Sequence, residues 1–117
     1  MCEGNSTSEY QEISPISRSE AEALIRSGRS DAVPVALIRL AYYDPDWRWV
    51  QDLCIGLSNH KDKWVRRACV ACFSHLARIH GNIEREKVNP VLTRLLDAPD
   101  VRGEAQDTIE ELKAFLK

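Results

Sequence analysis

The stretches Val65-Arg66-Arg67-Ala68-Cys69 and Val101-Arg102-Gly103-Glu104-Ala105 decide the fold. They begin 36 positions apart, and each follows a polar turn that closes an apolar segment. A period of this length is typical of helix pairs, which cannot bury their apolar stripes alone and therefore stack. We predict an open slab of stacked helix pairs, whose long faces suit binding to another macromolecule better than enclosing a small substrate.

The two stretches open helices that align without a gap. The matched positions are Val65 and Val101, Arg66 and Arg102, Cys69 and Ala105, Cys72 and Thr108, and Phe73 and Ile109. In the longest predicted helix, residues 64–80, a buried stripe is expected to run as far as Ile79. We interpret Arg66 and Arg102 as braces that each pair with an acidic turn residue of the same or a neighbouring repeat.

The helical spacing of apolar residues, together with residues that typically start or end helices, predicts six helices in all. Polar residues at Ser19, Asp31 and Asp44 are expected to cap the first three, and glycines at Gly28 and Gly81 are placed to end the first and the fourth. The fifth helix is expected within residues 82–96, where Pro90 would cause a kink or a late start.

Length and composition indicate one globular domain. The chain has 117 residues, of which 44% are hydrophobic and 29% charged, and its longest apolar run is too short to span a bilayer. We predict a flexible N-terminal arm over residues 1–13 and a single domain over 14–117. Since no basic residue precedes Arg18, which is the reverse of a secretory signal, the predicted compartment is the cytoplasm.

The cysteines and histidines do not predict a metal site or a catalytic site. Cys69, Cys72 and His75 are spaced by three, and each step of three falls about 60° short of a full helical turn, so the three side chains diverge. The mid-helix cysteines lie on an apolar stripe and are expected to be reduced core residues. No phosphate-binding glycine loop is present. We predict no cofactor, no metal and no enzymatic activity.

The repeated Val-Arg pair at the start of a helix, Val65-Arg66 and Val101-Arg102, resembles the second helix of a HEAT repeat. A proline within the first helix, as at Pro90, is also familiar in HEAT repeats. The resemblance covers residues 31–117 and implies an all-α fold, a short right-handed α-solenoid of antiparallel helix pairs. At a finer level, residues 46–51 (DWRWVQ) and 72–81 (CFSHLARIHG) resemble a group of small bacterial HEAT-repeat proteins. Some of these look like immunity proteins of contact-dependent growth inhibition (CDI) toxin systems, which implies a cognate protein toxin domain as the partner.

Charged and aromatic residues that the repeat register does not require are the candidates for partner binding. Exposed tryptophan and tyrosine beside charges are frequent interface anchors, and acidic groups near the C-terminus would suit a basic nuclease toxin. The candidate partner-binding residues are Tyr42, Tyr43, Trp49, Trp64, Arg67, Asp97, Asp100, Glu104 and Asp107.

Two other functions remain open on the sequence. Residues 61–94 hold eight basic residues against three acidic ones, so a nucleic-acid-binding HEAT-like protein could use Lys61, Lys63, Arg67 and Arg78. A scaffold or regulatory subunit of an enzyme is the third possibility. The leading hypothesis is an immunity protein that binds and neutralises a toxin domain, with no membrane and no small-molecule substrate involved.

Overall fold

The computed structural model describes residues 13–116, which are helical throughout apart from turns and contain no β-strand. Its six helices are α1 (Arg18–Ser27), α2 (Val33–Tyr43), α3 (Trp47–Leu57), α4 (Lys63–His80), α5 (Arg85–Leu95) and α6 (Arg102–Phe115). The predicted all-α class is confirmed. Most of the predicted arm lies outside the described residues, so the division of the chain at residue 13 stays a prediction.

The helices pack as consecutive pairs. Helix α1 packs on α2, α3 on α4 and α5 on α6, while the second helices also pack on one another, α2 on α4 and α4 on α6. The described residues extend over 47 × 29 × 27 Å, an elongated shape. This pattern of contacts between helices agrees with stacked pairs. The HEAT-like and right-handed parts of the prediction stay predictions.

Helix α4 lies at the centre of the core, in contact with α2, α3 and α6. Its buried residues include the predicted stripe: Val65, Cys69, Cys72, Phe73 and Leu76. The prediction for Ile79 was wrong, because its side chain is 37% exposed. Burial in α4 ends at Ala77, because Arg78 and Ile79 are exposed and His80 is half-buried.

Both glycine helix ends are confirmed, but the first N-cap is not the predicted one. Gly28 and Gly81 end α1 and α4 in the left-handed conformation, each with φ 69°. Ser17, not Ser19, caps α1 and forms a reciprocal capping box with Glu20.

Asp31 and Asp44 are not the N-caps of α2 and α3 either, and the carboxylate of each is paired with an arginine. Asp31 pairs with Arg29 at 2.8 Å, and α2 begins without a side-chain cap. Asp44 accepts two 3.0 Å hydrogen bonds from Arg18 and one of 2.9 Å from the backbone N–H of Asp46, which is the residue that caps α3. The N-cap of α3 is thus Asp46, two residues after the predicted Asp44, whose carboxylate is occupied by Arg18.

Helix α5 lies within the predicted segment 82–96 and continues through Pro90, so a start delayed to this proline is wrong. None of the helices in residues 13–116 has both the length and the apolar character needed to cross a bilayer.

The repeat register is visible in hydrogen bonds. Arg66 Nε donates to the carbonyl of His60 at 2.8 Å, and Arg102 Nε donates to the carbonyl of Leu96 at 2.7 Å, each six residues back. Arg66 also forms a bidentate pair with Asp100, at 2.7 and 2.8 Å. The brace is therefore confirmed for Arg66, which ties α4 to the turn before α6. Arg102 differs, because within residues 13–116 its side chain is hydrogen-bonded to a backbone carbonyl and to no carboxylate.

Candidate functional site

A groove separates α4 from α6 on the side that the second helices of the pairs share. Spacings of three and four residues place one ridge of side chains from each helix along it. Its lining residues are Arg67, Val70, Ala71, Ser74, His75, Arg78, Glu104, Asp107, Thr108, Glu111 and Phe115. We call it the α4/α6 groove. It brings together three of the predicted partner-binding residues, Arg67, Glu104 and Asp107.

The carboxylates on the α6 side of the groove differ in their partners. Glu104 pairs with Arg67 across the groove at 2.5 Å. Glu111 accepts a 2.6 Å hydrogen bond from the hydroxyl of Ser74. Asp107, which lies between them in sequence, is exposed and forms no ion pair among residues 13–116. The middle of the groove therefore carries a carboxylate whose charge is not compensated by a neighbouring cation.

One end of the groove is closed by a contact between α2 and α4. Arg78 Nη2 donates to Nδ1 of His75 at 2.9 Å and to the hydroxyl of Tyr42 at 3.4 Å. The rings of Tyr42 and His75 lie 5.0 Å apart between centroids. Burial lowers the pKa of His75, and the positive charge of Arg78 lowers it further. Because a guanidinium only donates, Nδ1 must accept, which assigns the neutral His75 proton to Nε2.

Trp64 stands at the opposite end, one turn before Arg67 on α4. Its side chain is 51% exposed, with the ammonium of Lys63 5.1 Å and the guanidinium of Arg67 4.9 Å from the ring centroid. Both cations are close enough for cation–π contact with a ring of which about half stays open to solvent. Tyr43, at the end of α2, is also 49% exposed.

The structure does not bring Trp49 to the groove. Trp49 lies on α3, is partly buried against the core, and has the guanidinium of Arg18 4.1 Å from its ring centroid. Contacts within the chain thus account for this tryptophan, and its predicted role in partner binding gains no support from its position.

The predicted acidic residues divide between two places. Glu104 and Asp107 line the α4/α6 groove, whereas Asp97 and Asp100 lie in the turn between α5 and α6. The hydrogen bond from Arg66 lowers the pKa of Asp100, so this carboxylate is ionised and already paired. Asp97 lines a separate shallow depression. A single acidic face is therefore not formed.

Ser74, His75, Glu111 and Phe115 are groove residues that the sequence interpretation missed. A usable signal was present, because Ser74 follows Arg67 by seven residues and Glu111 follows Glu104 by seven, two turns of a helix in each case. The repeat register marks the buried positions of each helix and does not single out the outward ridge on which these residues lie.

The buried thiols are poorly suited to nucleophilic chemistry. Cys54, Cys69 and Cys72 are free and buried, as predicted for core residues, and Cys2 lies outside the described residues. The hydrogen bond with Cys54, together with burial, raises the pKa of the Cys69 thiol, which keeps it protonated at neutral pH. Within residues 13–116, no three His, Cys, Asp or Glu side chains are grouped so that they could hold a metal ion.

The chain is similar to a chain in the crystal structure of the CDI complex from Cupriavidus taiwanensis LMG 19424. The two share 28% sequence identity with a TM-score of 0.78, and the match covers 91% of this chain and 96% of that one. No protein-family model and no curated protein matches the sequence. The resemblance to proteins of CDI systems is confirmed by this likeness, while its HEAT-repeat part stays a prediction.

Proposed function

We propose that this chain is a non-catalytic immunity protein, which binds the toxin domain of a CDI system in the bacterial cytoplasm and neutralises it. The observation that carries the proposal is the similarity to a chain of a CDI complex over nearly the full length of both chains. The open groove and its exposed aromatic and charged rim give such a protein a surface on which to bind a partner. The buried, protonated Cys69 thiol fits a binding role better than a catalytic one.

A nuclease is the toxin activity that the groove suits best. Glu104, Asp107 and Glu111 lie on one ridge of α6, and nuclease clefts are basic because they hold phosphates. Carboxylates that cover such a cleft would exclude the nucleic acid. The negative charge of this ridge is complementary to the positive charge of a nuclease cleft, which supports the proposal.

Co-expression with the toxin domain encoded immediately upstream of this gene tests the function. We expect the chain to restore growth of cells that produce this domain and to co-purify with it at a one-to-one ratio. A toxin domain from an unrelated CDI system serves as the control and should be neither bound nor neutralised. Absence of both rescue and binding would contradict the proposal.

The two alternatives have less structural support. Of the four basic residues considered for nucleic acid, Arg67 is engaged by Glu104 and Arg78 by Tyr42 and His75. An electrophoretic shift with steep salt dependence would favour nucleic-acid binding. Recovery of a housekeeping enzyme and no toxin in a pull-down would favour a scaffold.

A further inference from the structure

We propose that the α4/α6 groove receives one lysine or arginine side chain of the toxin domain, with its cationic head at Asp107. Trp64 then anchors the toxin surface next to that side chain. This inference rests on the proposed immunity function and names the chemical group that the groove recognises.

The floor of the groove suits the aliphatic stem of a long basic side chain. Small side chains from α4, Ala71 and Ser74, are partly exposed there, and Val70 and Thr108 complete the lining as buried residues. The open space amounts to about 410 Å³. Lysine and arginine cover apolar surface with their methylene groups and keep the charge at a polar rim, which matches an apolar floor below a carboxylate.

The charges of the groove favour a cation over an anion. The two guanidinium groups that line the groove are already engaged, Arg67 by Glu104 and Arg78 by the Tyr42 and His75 side chains. His75 is neutral because its pKa is lowered. Among the described lining residues on α6, two carboxylates have no ionic partner, Asp107 and Glu111. Glu111 accepts a hydrogen bond from the hydroxyl of Ser74, and Asp107 forms no side-chain hydrogen bond within residues 13–116. A phosphate would have to break the Arg67–Glu104 pair and approach Asp107.

Exposed aromatic side chains lie near both ends of the groove. Trp64 is 51% exposed beside Arg67, and Phe115, in the last turn of α6, is 43% exposed. Aromatic residues next to a charged pocket are the typical centres of binding energy at protein interfaces. The two rings frame Asp107, so a partner whose basic side chain enters the groove also covers apolar surface on either side of it.

Charge reversal at Asp107 tests the inference, with Glu110 as the matched control. Glu110 lies on the same helix, is exposed, and pairs with Lys113 instead of lining the groove. We expect Asp107→Lys to weaken binding of the purified upstream toxin domain by about 30-fold or more, and Glu110→Lys by less than about 3-fold. Trp64→Ala is expected to weaken binding by about 10-fold or more. Circular dichroism and thermal unfolding would verify that each variant is folded.

A charge swap identifies the side chain on the toxin. Each exposed lysine and arginine of the toxin domain is changed to glutamate, and one of these variants should bind Asp107→Lys more tightly than it binds the wild-type chain. If the wild-type chain, Asp107→Lys and Glu110→Lys all bind the toxin domain equally well, the groove is not the binding site. The proposed immunity function would be unaffected by that result. If the wild-type chain does not bind the toxin domain at all, both proposals fail.

Discussion

Arg66 and Arg102 occupy equivalent positions in successive helix pairs but have different partners. Both donate to a carbonyl six residues back, and only Arg66, 15% exposed, adds a bidentate pair with Asp100. We expect Arg66→Ala to lower the free energy of unfolding by about 1–2 kcal/mol, because it removes charge-assisted hydrogen bonds between α4 and the following turn. Arg102→Ala should cost about 0.5 kcal/mol or less. Urea unfolding of the two variants measures the difference, and equal losses would show that Arg66 is not a brace.

His75 makes the stability of the protein depend on pH. Burial and the charge of Arg78 lower its pKa below the ordinary 6.5, although Glu111 of α6 acts in the opposite direction and Tyr42 of α2 covers the ring. As the pH falls below 6.5, the unfolded chain takes up a proton that folded His75 resists, so the free energy of unfolding decreases. The loss is complete once the pH has passed the lowered pKa of the folded protein.

The His75→Gln variant isolates this contribution. Its free energy of unfolding should decrease less than that of the wild type between pH 7 and about pH 5, where histidine titrates. Urea unfolding at a series of pH values provides the comparison. Parallel curves for the two proteins would mean that His75 titrates alike in the folded and unfolded states.

Among the helices, two glycines give opposite predictions for the same substitution. Gly81 ends α4 at φ 69°, whereas Gly56 lies exposed in the last turn of α3 with a helical backbone, and an added Cβ would meet no atom within 4 Å at either position. We expect Gly81→Ala to destabilise the protein by about 1 kcal/mol through backbone strain alone. Gly56→Ala should stabilise it by about 0.5 kcal/mol, since alanine loses less backbone entropy than glycine in a helical conformation. Thermal unfolding should show midpoint shifts of opposite sign.

The two helix ends formed by glycine could be predicted from the sequence, whereas the N-cap residues could not. Gly28 and Gly81 end their helices because almost only glycine adopts the left-handed conformation at low cost, which is a property of one residue. Asp44 failed as a cap because Arg18, 26 residues earlier, binds its carboxylate. A partner that distant is selected by how α1 packs on α2, and local sequence does not encode it.

The candidate site was only partly predictable for a similar reason. Arg67 and Glu104 were identified as residues outside the repeat pattern, but nothing in the sequence stated that they would meet across a groove at 2.5 Å. That contact depends on the rotation of α6 relative to α4. The rotation is set by buried packing, and the same packing brings Ser74 to Glu111.

At the scale of the whole molecule, packing reduces the charge asymmetry that the sequence displays. The basic residues of segment 61–94 and the acidic residues that follow it meet where α4 lies against α6 and its preceding turn, as in the Arg66–Asp100 and Arg67–Glu104 pairs. Opposite charges that lie apart in sequence are thereby neutralised between neighbouring helix pairs. Asp97, Asp107 and Glu111 form no such ion pair among residues 13–116. Asp97 lies outside the α4/α6 groove and Glu111 is held by Ser74, which leaves Asp107 as the carboxylate that we expect to bind a cation.

The central position of α4 predicts that the helix pairs unfold together. Stacked pairs contact only their neighbours, so a terminal pair could in principle unfold first. Here, however, α4 contacts α2, α3 and α6, and the buried residues form one cluster. Leu112 of α6 is 4% exposed within this cluster, and Leu112→Ala should cost about 2–4 kcal/mol.

The tryptophans make this cooperativity measurable. All three lie in residues 47–64, so their fluorescence reports the second helix pair, whereas far-ultraviolet circular dichroism reports every helix. We expect both signals to give one coincident urea transition, and Leu112→Ala to move both midpoints by the same amount, although the substitution lies in the third pair. Lys113→Ala, at its exposed neighbour, should move neither. If Leu112→Ala instead gave an early dichroism step with the fluorescence midpoint unchanged, the third pair would be an independent folding unit.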